Sequence, residues 1–162
     1  MKKVKKAFTL VELLVVIAII AILAAIIAPN AFKAIEKSKV ATAESDYRAI
    51  KTATLSYYSD MGLWPNKEEK GKDEENLFIK GSGLEPNWNG PYLEKWPNKN
   101  PWGGTYKIVT SGDTVKLELD KVPEKAAKKI DLDLDGTENP DGGIVIYTTS
   151  GGTYTVTIII SQ

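Results

Sequence analysis

From Phe8 to Ala28 the chain is an apolar run whose one charge is the Glu12 carboxylate, and this run follows a leader carrying Lys2, Lys3, Lys5 and Lys6. As a helix its 21 residues span about 30 Å, the thickness of a bilayer's hydrocarbon core. The lysines set the amino terminus on the cytoplasmic side and the bulk of the chain across the membrane. A secretory signal peptide has the same charge order, but its apolar core is only about 7 to 15 residues and ends at a small-residue cleavage site. This core is longer and continues into helical sequence. A carboxylate in such a run costs about 2.5 to 3.5 kcal/mol on insertion scales, so Glu12 needs a partner or a function.

Pro29 ends the apolar run and removes a backbone hydrogen bond, which predicts a kink or a locally melted segment near Ala25 to Asn30. Beyond it, Phe32, Ile35, Lys39, Ala43, Tyr47, Ile50, Thr54, Tyr57 and Met61 step by three or four, while Lys33, Glu36, Lys37, Glu44, Asp46 and Lys51 mostly fall elsewhere. That spacing predicts an amphipathic continuation of the same helix to about Asp60. About 100 residues remain, enough for one domain with a modest core. The chain has no Cys and no His, so no disulfide closes the carboxy-terminal region, and His-based triads are excluded. No basic stripe points to nucleic acid.

Residues 6 to 13, Lys-Ala-Phe-Thr-Leu-Val-Glu-Leu, resemble the class III signal of the type IV pilin and type II secretion pseudopilin superfamily. The resemblance implies a cut between Ala7 and Phe8 by prepilin peptidase, methylation of the new amine, and retention of the helix. Ala7 stands where the family usually has Gly. Removing residues 1–7 takes away four lysines, and the neutral precursor becomes a chain of formal charge minus four. Glu12 becomes the fifth mature residue, the family's assembly glutamate, expected to meet the Phe8 amine of a neighbouring subunit in a low-dielectric filament core. The residues themselves leave two other readings open: pairing with the chain's own Phe8 amine, or a place near the headgroups. Pro29 joins Phe8 and Glu12 among the residues assigned to assembly.

Residues 62–104 are rich in Gly, Pro, Asn, Lys and Trp, with a short helical candidate at Asp73–Lys80 opened by an Asp73 cap. Trp64, Trp88, Trp96 and Trp102 each lie within two residues of a Pro, which predicts rings packed on rigid turns, with surface binding of sugar or protein as the other use. Tyr57 to Pro65, Gly90 to Pro97 and Asn100 to Ile108 are similar to segments of the G-type major pseudopilin. Two hairpins follow, residues 105–110 with 114–119 and 144–149 with 153–160, around Ser-Gly-Asp and Ser-Gly-Gly. Tyr154, Val156, Ile158 and Ile160 are expected to face the helix and Thr153, Thr155 and Thr157 the outside. The expected class is an α+β pilin fold: a kinked amino-terminal helix and a small antiparallel sheet within a head of residues 62–162.

Between the hairpins, residues 131–143 read Asp-Leu-Asp-Leu-Asp-Gly-Thr-Glu-Asn-Pro-Asp-Gly-Gly. Asp131, Asp133, Asp135 and Gly136 match positions 1, 3, 5 and 6 of an EF-hand loop, but Gly142 replaces the final Glu. With Asn139 and Asp141 they form a candidate calcium loop, set against a solvated turn cluster.

These readings predict a non-enzymatic filament subunit, most like the major pseudopilin of a type II secretion system. Implied partners are copies of itself, prepilin peptidase, minor pilins or pseudopilins and an inner-membrane assembly platform. The head lies outside the cytoplasmic membrane on a single span, in a periplasmic pseudopilus or a surface pilus. Two alternatives stay open: a surface type IV pilin for adhesion, motility or DNA uptake, and a membrane-anchored, calcium-dependent binding module. An anchored hydrolase has only the Asp cluster in its support.

Overall fold

The computed structural model describes residues 8–65, 76–81 and 87–161. The leader with Ala7, and Asp73, the expected cap, lie outside them. The element order is α1 (Leu10–Met61), β1 (Tyr106–Ser111), β2 (Thr114–Val122), α2 (Glu124–Asp135), β3 (Val145–Ser150) and β4 (Thr153–Ser161). Chain contacts divide the molecule into two units, residues 1–38 and 39–162.

Within the first unit α1 is helical at every position, and it passes Pro29 without interruption. The local melting expected at Ala25 to Asn30 does not occur: one proline deletes one hydrogen bond, and the turns on either side keep theirs. Every residue from Phe8 to Ser38 is exposed, including Phe32 and Ile35, which the periodicity placed on an inward face. Among the described residues, α1 is the one helix long and apolar enough to cross a membrane.

In the second unit the inward face of α1 is Val40, Ala43, Tyr47, Ile50, Ala53, Thr54 and Tyr57, all buried. Their three-and-four spacing is the amphipathic stripe, displaced from Lys39 onto Val40. Thr54 is tolerated there because its hydroxyl donates to the Ile50 carbonyl at 2.8 Å. Two hydroxyls tie α1 to the strands: Tyr47 Oη donates to Ile159 O at 3.4 Å, and Tyr106 Oη to Asp46 Oδ2 at 2.7 Å. Burial and the Asp46 carboxylate hold the Tyr106 phenol protonated far above its usual range.

The sheet has four antiparallel strands in the order β1-β2-β4-β3. Both hairpins form within a residue of their predicted limits, except that β2 runs three residues past 119, to Val122. They join through β2 and β4, where Leu117 pairs with Ile158 and Leu119 with Val156. Val115, Leu117 and Leu119 alternate inward, but the next buried residue is Val122, three positions on. An irregularity between Leu119 and Val122 absorbs the odd residue, with Lys121 at φ 57°. Val156, Ile158 and Ile160 are buried as expected. Ile159 is buried too, because a second register shift opposite Val115 and Lys116 breaks the alternation of β4.

The described parts of the long connection before the sheet are held by their rings. Trp96 stacks on Phe78 at 5.9 Å, Trp64 stacks on Tyr58 at 4.0 Å, and Trp88 donates Nε1–H to the Leu77 carbonyl at 3.1 Å. Of the helical candidate at residues 73–80, the structure describes a single π-helical turn, Asn76–Lys80, whose Leu77 and Phe78 enter the core. Asn100, almost fully buried, clamps the strand entry. Its Oδ1 accepts from the backbone N–H groups of Trp102 and Gly104, each at 3.0 Å, and its Nδ2 donates to the Asp120 carbonyl at 2.6 Å.

Candidate functional site

Thr9 precedes the first helical residue and Glu12 lies three positions on, the spacing of a capping box. The bonds are reciprocal. Glu12 Oε2 accepts from Thr9 N at 2.9 Å and from Thr9 Oγ1 at 2.8 Å, and Thr9 Oγ1 accepts from Glu12 N at 3.2 Å. In this uncut chain Phe8 carries an amide and no amine, so Glu12 is held by a third partner that the sequence reading did not consider. The signal was present as Thr-x-x-Glu. Such a cap contributes about 1 kcal/mol to helix stability. It also means that the carboxylate enters the apolar run with one of its two oxygens already engaged. Phe8 itself is 83% exposed.

The Asp-rich segment departs from its predicted form. Asp131, Asp133 and Asp135 are not on a loop: α2 runs from Glu124 through Asp135 and stops at Gly136, which takes φ 75° and donates its N–H to Leu132 O at 3.0 Å. Its determinants are local. Pro123 precedes the first turn, Glu124–Lys128 and Lys129–Asp133 are i,i+4 ion pairs, and Ala126, Ala127, Ile130 and Asp131 form the buried face. At about 100° per residue, positions two apart on a helix diverge, whereas positions four apart share a face.

Asp133 therefore points away from Asp131 and Asp135, toward Lys129 and Glu44 of α1. Burial, then the Asp133 carboxyl, push the Glu44 carboxyl above its ordinary pKa, against the opposing pull of Arg48. Asp131 and Asp135 do come together, and both fasten the chain that follows. Asp131 Oδ2 accepts from Asn139 N at 2.8 Å, while the Asp135 oxygens accept from Ile144 N at 3.1 Å and Val145 N at 2.8 Å. Asn139 offers its backbone to Asp131, and its side-chain oxygen accepts weakly from Asp141 N at 3.4 Å. The five-residue shell of Asp131, Asp133, Asp135, Asn139 and Asp141 is thus not assembled. Among the described residues no three acidic side chains are grouped to hold a metal ion.

One polar atom is left over in this cluster. Asp131 is fully buried, and its Oδ1 has no hydrogen-bond donor. Burial pushes its carboxyl above the ordinary range, the Asn139 N–H opposes this, and the neighbouring Asp135 charge adds to the rise. Two acceptors facing each other ask for a cation or a shared proton.

Comparison with known proteins gives concordant matches. The prokaryotic N-terminal methylation motif matches residues 2–28, and the family described as PilW, C-terminal, matches residues 34–123. The type II secretion system core protein G of Pseudomonas aeruginosa is 32% identical over 119 residues, covering 73% of this chain and 82% of the relative. That of Vibrio cholerae is 32% identical over 123 residues, covering 74% and 82%. Fimbrial protein EcpC of Eikenella corrodens is 46% identical over 65 residues, 40% of this chain and 42% of the relative. Among solved structures, the major type IV pilin PilA1 of Clostridium difficile superposes with a TM-score of 0.55 at 24% identity. It covers 79% of this chain and 98% of that one, a likeness of fold.

Proposed function

Because this chain belongs to the type II secretion system core protein G family of pilin-like proteins, we propose that it is a major pseudopilin, cut before Phe8, methylated there and stacked through α1 into a periplasmic pseudopilus. The observation that carries the reading is the surface of α1 from Leu10 to Ile27. Every large apolar side chain there is exposed and one carboxylate stands among them. Such a surface is stable only against lipid or against copies of itself. Lipid covers it in the stored subunit, with the head outside the cytoplasmic membrane, and neighbouring helices cover it in the filament. A contact that repeats head to tail without closing generates a helical assembly. The chemistry is assembly, not turnover, and prepilin peptidase, companion pseudopilins and an inner-membrane platform are the partners this requires.

Mass spectrometry of the amino terminus in sheared and envelope fractions tests processing and destination together. The expected result is a methylated Phe8 terminus confined to the envelope. The same terminus abundant in the sheared fraction would move the assignment to a surface pilus. An intact Met1 leader in both would sink the filament reading and favour a membrane-anchored binding module.

Calcium is the second element of the reading, on a smaller donor set than the sequence suggested. The orphaned Asp131 Oδ1 beside Asp135 is the position where a hard cation would relieve both desolvation and repulsion. With full-length protein in detergent, calcium is expected to raise the melting temperature of the head, and Asp131→Asn to remove the rise. No heat of binding and no change in melting temperature for the unaltered chain would remove calcium from the account.

A further inference from the structure

A groove of about 740 Å³ opens between the first turns of α2, the turn at residues 138–141, and the β3 and β4 strands. Neither the capping site nor the Asp131–Asp135 pair occupies it. Lys128 Nζ lies 2.6 Å from Glu124 Oε1, so that pair neutralises itself. Glu138 and Asp141, also on the wall, have no ion-pair partner among the described residues. The turn carrying them is pinned: Pro140 O accepts from Tyr147 N at 3.2 Å, and Asn139 O accepts from Gly142 N at 3.3 Å.

The second observation is Tyr147. It is only 6% exposed, it lines the groove, and its hydroxyl has no hydrogen-bond partner among the described residues. Its ring meets the Tyr154 ring edge-on at 5.9 Å. Burial and the Asp131 charge push the phenol above its ordinary pKa, so it stays a neutral hydrogen-bonding group. A pocket with two carboxylates, aromatic walls and a waiting hydroxyl fits ammonium groups on an extended or helical backbone.

We propose that this groove receives Lys33 and Lys37 of α1 from a second copy of this chain. The two lysines are one helical turn apart, exposed, and without an ion-pair partner among the described residues. Their charge complements that of Glu138 and Asp141. They also follow the apolar run that the preceding reading assigns to packing between subunits, on the same helix, so helices that associate there bring these lysines into the contact between copies. The proposal rests on that reading.

The test uses the full-length chain expressed with its assembly machinery. Glu138→Lys with Asp141→Lys, and separately Lys33→Glu with Lys37→Glu, should each lower the yield of filaments about tenfold, and all four changes together should restore it. The chain has no Cys. Ser38→Cys in one population and Thr148→Cys in another, with all charges unaltered, should therefore give a heterodimer with a short bis-maleimide. Assembly of both charge reversals at unaltered yield, or no recovery in the fourfold variant together with no heterodimer, overturns the groove contact. Reversals that spare the filament but block export of a cargo protein also overturn it, assigning the groove to cargo. If the unaltered chain forms no filament, it is the pseudopilin reading that falls.

Discussion

Replacing Glu12 by Gln should leave the uncut protein in the membrane in unaltered amount and abolish its assembly into filaments. Gln is the substitution that separates the two uses of this side chain. Its amide oxygen can still accept from Thr9 N and Oγ1, so the capping box at the start of α1 survives. What disappears is the charge that, on the proposed reading, would meet a neighbour's Phe8 amine after the leader is removed. In a filament core that charge pair has little water to compete with it, and losing one member leaves a buried ion uncompensated, a cost of about 3 to 5 kcal/mol. Thr9→Val makes the reverse cut: it removes the hydroxyl and keeps the charge, at about 1 kcal/mol of helix stability. The readout is the cross-linked ladder of subunits in isolated envelopes. Assembly by Glu12→Gln at the level of the unaltered chain would show that the carboxylate serves only as a cap.

The second large effect is expected in the head. Gly104→Ala should destabilise the head by about 3 kcal/mol, lowering its melting temperature by roughly 10 °C. A Cβ there would overlap the Asp120 carbonyl oxygen and lie 2.7 Å from Asn100 Nδ2. The obstacle is backbone and a clamped side chain, which cannot rotate away. Relief means breaking the bonds from Asn100 to Trp102, Gly104 and Asp120, leaving buried amides unsatisfied. Differential scanning calorimetry of the full-length chain in detergent gives the answer, and an unshifted transition would mean that the strand entry is far softer than its geometry implies.

Much of this arrangement can be read from the chain before any coordinates. The span, its carboxylate, the continuing amphipathic helix and both hairpins rest on periodicity and turn chemistry, which are local properties. The helix α2 was missed because Asp131, Asp133 and Asp135 also satisfy a loop pattern with period two. Lys-Lys-Ile before them and Gly136 after them were the local evidence for a helix, and the two i,i+4 ion pairs decide it. The capping box is legible as Thr9-x-x-Glu12, but the same carboxylate in an apolar run also satisfies a pairing with a distant amine, and the spacing alone does not choose between them. The joining of the hairpins through β2 and β4 could not be read, since nothing in either hairpin alone specifies which edge meets which. The odd spacing from Leu119 to Val122 did hold a trace of it, as a break in alternation that only a bulge explains.

The strand order carries a consequence for biogenesis. In β1-β2-β4-β3 the last of these four strands to be made lies inside the sheet, hydrogen-bonded on both sides, while β3, made before it, is an edge that has no partner until β4 arrives. No stable intermediate sheet containing β3 can form on a nascent chain. The four-stranded sheet therefore closes only after β4 has been made, so its own topology delays the completion of the head.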